Sequence, residues 1–166
     1  MVNRDKDEIE MSMNEIMDGE TDLSCALLGA SLIDLHLKML LEKFFINGKT
    51  SERILSNTGF AGNSRARTDL AYVLGLINKD EYNNILNILG IRNLFVHTHT
   101  LTSFASRKIS KLCEKITIDD SKLRDETDEE WNLIKFKSVC IIIIVDMDLK
   151  IDQIVKSELI QRVRSW

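Results

Sequence analysis

Proline is missing from all 166 residues, and only seven are glycine. Proline punctuates strand-rich folds and long loops, so its absence favours a mostly helical chain. Cysteine occurs three times, at Cys25, Cys113 and Cys140, far apart and with no CxxC or Cys/His spacing. That excludes a zinc module and a disulfide framework, and it predicts reduced core thiols in a cytosolic protein. Long hydrophobic runs are also lacking. The densest, Val139 to Val145, is far shorter than the roughly 20 residues a membrane span needs. The N-terminus is acidic and polar, unlike a signal peptide. Positive charge is not in excess: 22 Lys and Arg stand against 26 Asp and Glu, for a net charge of −4. A free-standing nucleic-acid binder usually carries a basic surface, so direct DNA binding is expected to be weak or absent.

What remains has an ordinary balance, 44% hydrophobic and 29% charged. It suits one soluble domain with one core. Residues 1–20 are charged, with Ile9, Met11, Met13, Ile16 and Met17 interspersed, and read as an amphipathic N-terminal helix. A main helical domain is expected over 21–153. A long helix starts at Thr21 or Asp22, either of which can cap it, and ends near Asn47-Gly48. Its apolar residues, from Leu23 through Ala26, Ala30, Ile33, Leu37 and Leu41, follow helical spacing, and Asp34 and His36 interrupt them. Ser51 to Leu55 reads as a short helical turn. Asn57 to Ser64 is a glycine-containing loop that lacks the order of a phosphate-binding loop. A third helix is predicted over Ser64–Ile77 and a fourth from the cap Asn78. Thr98 to Thr102 breaks the pattern, and a fifth helix follows over Phe104–Ile116. Residues 117–128 are an acidic connection with no metal-loop spacing. Thr127-Asp128-Glu129-Glu130 is a capping box that opens the last helix, which runs past Leu149. Residues 154–166 read as a helical tail. The expected fold is all-α: one domain, a bundle of five to seven mostly antiparallel helices.

The stretch Ile91-Arg92-Asn93-Leu94-Phe95-Val96-His97 carries polar residues inside an apolar helical pattern. Burying a lone charge is costly, so Arg92 is expected to meet an opposite charge, Asp34 or, failing that, Glu42. Asn93 and His97 are one helical turn apart and would join a buried polar clasp of Asp34, Arg92, Asn93 and His97. The other reading is catalytic. The spacing R-N-x-x-x-H resembles the motif of HEPN domains, small helical bundles of which many are metal-independent ribonucleases. That resemblance implies Arg92, Asn93 and His97 facing a scissile phosphate, with histidine moving a proton and arginine holding charge.

A second resemblance covers more of the chain, roughly residues 21 to 116. Its parts are the long helix D-L-S-C-A-L-L-G-A-S-L-I-D-L-H-L-K-M-L-L, the segment F-A-G-N-S-R-A-R-T-D-L, the continuation L-A-Y-V-L-G-L-I-N-K-D-E-Y-N-N-I-L and the ending I-R-N-L-F-V-H. In this order they resemble the mannitol operon repressor (MtlR) family of bacterial regulators. The resemblance implies a helical, cytoplasmic transcriptional regulator and identifies no catalytic residue; no cofactor or metal is expected from the residues themselves. No helix-turn-helix or zinc-finger pattern accompanies it. Arg53, Arg65 and Arg67 could form a basic edge beside the loop, and Lys150, Lys156, Arg162 and Arg164 another on the tail. In an acidic chain, regulation through a protein partner is the expected mode, and self-association is compatible with it.

Overall fold

The structure, a computed structural model, describes residues 21–97, 102–118 and 128–154, together with Asn14 and Asp18. The amphipathic reading of residues 1–20, the Thr127 capping box and the basic tail beyond Ile154 fall outside those residues. The fold is all-α. The described helices are α1 (Asp22–Phe44), α2 (Lys49–Leu55), α3 (Ser64–Val73), α4 (Lys79–His97), α5 (Arg107–Cys113) and α6 (Asp128–Gln153). The β-branched run Ile141 to Val145 is helical, in line with its helical flanks.

Local signals set most of the ends. Thr21 Oγ1 accepts the Ser24 N–H at 3.1 Å, and Ser24 Oγ accepts the Thr21 N–H at 3.0 Å, a reciprocal cap on α1. Asn63 caps α3 by accepting the Ala66 N–H at 2.9 Å. At α4, Asn78 Oδ1 accepts from the N–H groups of Asp80 and Glu81, while Glu81 Oε2 accepts the Asn78 N–H at 2.7 Å. Helix α3 stops at Val73, four residues before the expected end at Ile77. Gly75 takes a left-handed φ of 71°, and the Leu76 N–H turns back to the Ala71 carbonyl. This is a glycine C-cap that closes the helix with orphan carbonyls satisfied. Helix α5 is likewise shorter than expected, because residues 103–106 form a hydrogen-bonded turn before it.

The described chain divides into two compact units. The first gathers residues through Leu32 with those of 87–142. Its core is aromatic. Phe104 stacks at tilted angles against Phe95 and Phe136, with ring centroids 5.2 and 5.1 Å apart. The Phe104 backbone is held at both ends: its N–H donates to Asp22 Oδ2 at 2.9 Å, and its carbonyl accepts from Asn132 Nδ2 at 3.1 Å. Gly29 lies so close to Cys140 Sγ and Phe136 that a Cβ there would crowd them at 2.9 and 3.1 Å. All three cysteines are buried, and burial pushes the Cys113 thiol up to about 12 and the Cys140 thiol further.

The second unit holds residues 33–86 and those from Ile143 onward. Ile33, Leu37, Leu40, Leu41, Leu55, Ala61, Ala71, Ile85 and Ile144 form its buried core. By length and composition α1 is apolar enough to cross a membrane. Residues of its second half contribute to this core; of its two interrupting polar residues, Asp34 is held by Arg67, and His36 Nε2 lies 3.3 Å from Asp148 Oδ1.

Candidate functional site

The second unit contains a buried polar centre built on Arg67. Helix α3 turns Arg67, Thr68 and Ala71 inward, at helical spacing, while Arg65 lies on the outer side. Arg67 is 4% exposed. Its Nη1 donates to Asp34 Oδ2 at 2.6 Å, its Nε to the Ala61 carbonyl at 3.0 Å, and its Nη2 to the carbonyls of Leu55 and Gly62 at 3.3 and 3.4 Å. One guanidinium therefore neutralises a carboxylate of α1 and fastens three carbonyls around the connection between α2 and α3. Arginine suits this work because its forked donors are rigid and permanently charged.

The connection itself, residues 56–63, is a compact loop. Gly59 and Gly62 donate backbone hydrogen bonds to Ser56 and Gly59, and the Ala61 N–H returns to the Ile54 carbonyl. A Cβ at Gly59 would overlap the Arg53 carbonyl oxygen, so only glycine fits this turn. Between the two glycines, Phe60 points outward and is 81% exposed.

A second polar centre in the same unit joins α4 to α6. Lys150 Nζ lies 2.6 and 2.8 Å from the two oxygens of Glu81 and 2.6 Å from Asp146 Oδ2. Burial, with the hydrogen bond to Asp146, raises the Glu81 carboxyl above its ordinary value, against the opposing pull of Lys150. Its hydrogen bond with Glu81 lowers Asp146, with Lys150 adding to that. Lys150 is raised: the two carboxylates outweigh its desolvation.

These placements revise the expected site. The clasp of Asp34, Arg92, Asn93 and His97 does not form. Asp34 is engaged by Arg67, whereas Arg92, Asn93 and His97 are all exposed, and Arg92 Nη1 donates to its neighbour Asn93 Oδ1 at 3.0 Å. The helical phase of α4 is the reason. Glu81, Asn84, Ile85, Ile88, Ile91 and Phe95 face inward, which turns 92, 93, 96 and 97 outward. Glu42 pairs with Lys38 on the surface at 3.6 Å and plays no part in the centre. The basic edge of Arg53, Arg65 and Arg67 loses Arg67 to the interior. Arg53 and Arg65 are exposed, and Arg65 is tied to Asp69 at 3.0 Å and to the Tyr82 hydroxyl at 3.2 Å. Two features of the sequence could have identified Arg67. It shares an i,i+4 face with Ala71, and its neighbour Arg65 has Asp69 at i+4 as a surface partner. The role of Glu81, apart from its place in the cap, had no local signal, because Lys150 is 69 residues away.

Among the described residues no group of three or more His, Cys, Asp or Glu could hold a metal ion. No family model and no curated protein sequence matches the chain. Solved structures do match its fold. The crystal structure of the MtlR–HPr complex from Escherichia coli contains a chain that superposes with a TM-score of 0.66 at 17% identity, covering 86% of this chain and 97% of that one. A possible transcriptional regulator, YggD from Shigella flexneri 2a str. 2457T, superposes with a TM-score of 0.65 at 11% identity, covering 86% and 98%. The chain therefore has an MtlR-like all-α fold over most of its length.

Proposed function

We propose that the protein is a transcriptional regulator of the mannitol-repressor type that works by binding a partner protein. The observation that carries this reading is the likeness, across nearly the whole of both chains, to a structure captured in a protein–protein complex, that of MtlR with HPr. The net charge of −4 adds to it, since a chain that neutralised many phosphates by itself would carry a basic face. Regulation then comes from occupancy by the partner, with little direct hold on DNA. The test is affinity capture from the native host, followed by titration of the purified partner and, separately, of HPr. A stoichiometric protein partner is expected. Sequence-specific DNA binding at nanomolar concentration by the isolated chain would replace this reading with direct repression.

A second reading is favoured by one observation, the exposure of Arg92, Asn93 and His97 on α4. A HEPN-type ribonuclease needs that arginine and histidine open to an RNA phosphate. Incubation of the wild type and His97→Ala with single-stranded and transfer RNA, without metal, separates the two. No cleavage is expected. Cleavage lost in the variant would establish the nuclease.

A further inference from the structure

From the geometry around Phe60 we infer that the α2–α3 loop is a docking surface for a protein that offers a pocket for an aromatic ring, with carboxylates at the pocket's rim. The inference rests on the partner-binding reading above and names the surface that would carry it.

Phe60 is 81% exposed, although a phenylalanine ring gains substantially from burial. A mobile loop could fold such a ring back onto the protein. This loop is pinned. Arg67 holds the carbonyls of Leu55, Ala61 and Gly62 from inside, Asp34 anchors Arg67, and Gly59 packs where no side chain would fit. The buried ion pair thus fixes the backbone on both sides of Phe60 and presents the ring to solvent. Pre-ordering lowers the entropy lost on binding, and aromatic anchors entering pockets dominate interface energies.

The charge around the ring selects the partner. Across residues 45–66 the charged residues are Lys49, Arg53, Arg65 and a single acid, Glu52, in a chain whose total is negative. Arg53 and Lys49 are exposed on α2, and the Arg53 side chain makes no ion pair among the described residues. By sequence the stretch that carries the apolar anchor is net basic in an acidic chain, and the Arg53 backbone lies against Gly59 beside the ring, which suits a pocket edged by carboxylates. Nucleic acid is the less favoured occupant, because Arg65 is shared with Asp69 and Glu52 adds a negative charge to the same helix as Arg53.

The test places a photo-crosslinking phenylalanine analogue at position 60 of the full chain in its native host, and, as a control, at Val73, which is equally exposed in the same unit. Irradiation should give one protein adduct at position 60. After identification, the purified partner should bind the wild type, and Phe60→Ala and Arg53→Glu should each weaken binding by about tenfold or more, as loss of a hot-spot anchor does. Thermal unfolding should match the wild type in both variants, since neither side chain is buried. No protein adduct at position 60, an adduct to nucleic acid, or a partner whose affinity ignores either substitution would overturn the inference. A partner recovered by affinity capture, or crosslinked only at position 73, would leave the partner-binding reading intact and move its surface elsewhere. An empty capture together with no adduct would remove both.

Discussion

Arg67 and Arg92 occupy comparable sequence settings and opposite physical ones. Each sits within a helix. Arg67 follows Ala66 and precedes a threonine, in a helix with few apolar residues, and is buried against Asp34 and three carbonyls. Arg92 lies between Ile91 and Asn93 in a more apolar stretch, yet it is exposed, and its guanidinium donates to the amide beside it. Local hydrophobicity is thus a poor guide to which arginine goes inside. Helical phase decides it: the position must coincide with the inward face, and an acid and unpaired carbonyls must wait there. The lesson extends to function. The buried arginine organises a loop, and the exposed one lies on the surface of α4.

The sharpest way to break this contrast is to remove each arginine in turn. Arg67→Ala strands the Asp34 carboxylate, whose Oδ1 is already buried without another hydrogen bond among the described residues. It should cost about 3–5 kcal/mol, the range for breaking a buried pair. A urea titration measures this, and a loss below 1 kcal/mol would mean that Arg67 does not hold the unit together.

Next in size is Lys150→Met, which leaves the nearly buried Glu81 carboxylate without its ammonium. About 1–3 kcal/mol should be lost. The pH dependence sharpens the test. The raised Lys150 contributes stability that is complete below its ordinary value of 10.5 and is lost as pH rises through its folded value. The lowered Asp146 contributes stability above 3.8 that is lost as pH falls through its folded value. The raised Glu81 acts in the opposite sense, so its share declines as pH climbs from 4.5 through its folded value. In a series of denaturant midpoints, the methionine variant should lose the alkaline slope that the wild type shows. An unchanged slope would place the alkaline transition elsewhere.

Gly75→Ala should cost about 1 kcal/mol, because an L-residue must then adopt the left-handed conformation that ends α3. Its measured effect separates a true glycine stop from a turn that can reshape. The smallest effect is expected for Arg92→Ala, within about 0.5 kcal/mol, as for surface substitutions without buried partners. A loss above 1 kcal/mol would restore a structural role to the R-N-x-x-x-H stretch and close the gap between the two arginines.

Composition and periodicity alone determined that this chain is helical, where its first long helix begins, and that Asn78 opens α4. These follow from interactions within one or two turns: side-chain oxygens reaching N–H groups three residues on, and apolar residues recurring on one face. Asp34, a charge amid apolar residues, needs a partner on the same grounds. Which arginine meets Asp34 depends on helical phase, not on the density of apolar neighbours: α4 turns Arg92 outward and α3 turns Arg67 inward. The early stop of α3 is also local in origin, since Gly75 can take the left-handed conformation that caps it. Three features belonged to tertiary structure. They are the pairing of Asp34 with Arg67 across 33 residues, the link of Glu81 to Lys150 across 69, and the outward setting of Phe60. Each depends on which helices pack together, and a charge finds its counterion only once packing has excluded water from both. No local pattern encodes that choice.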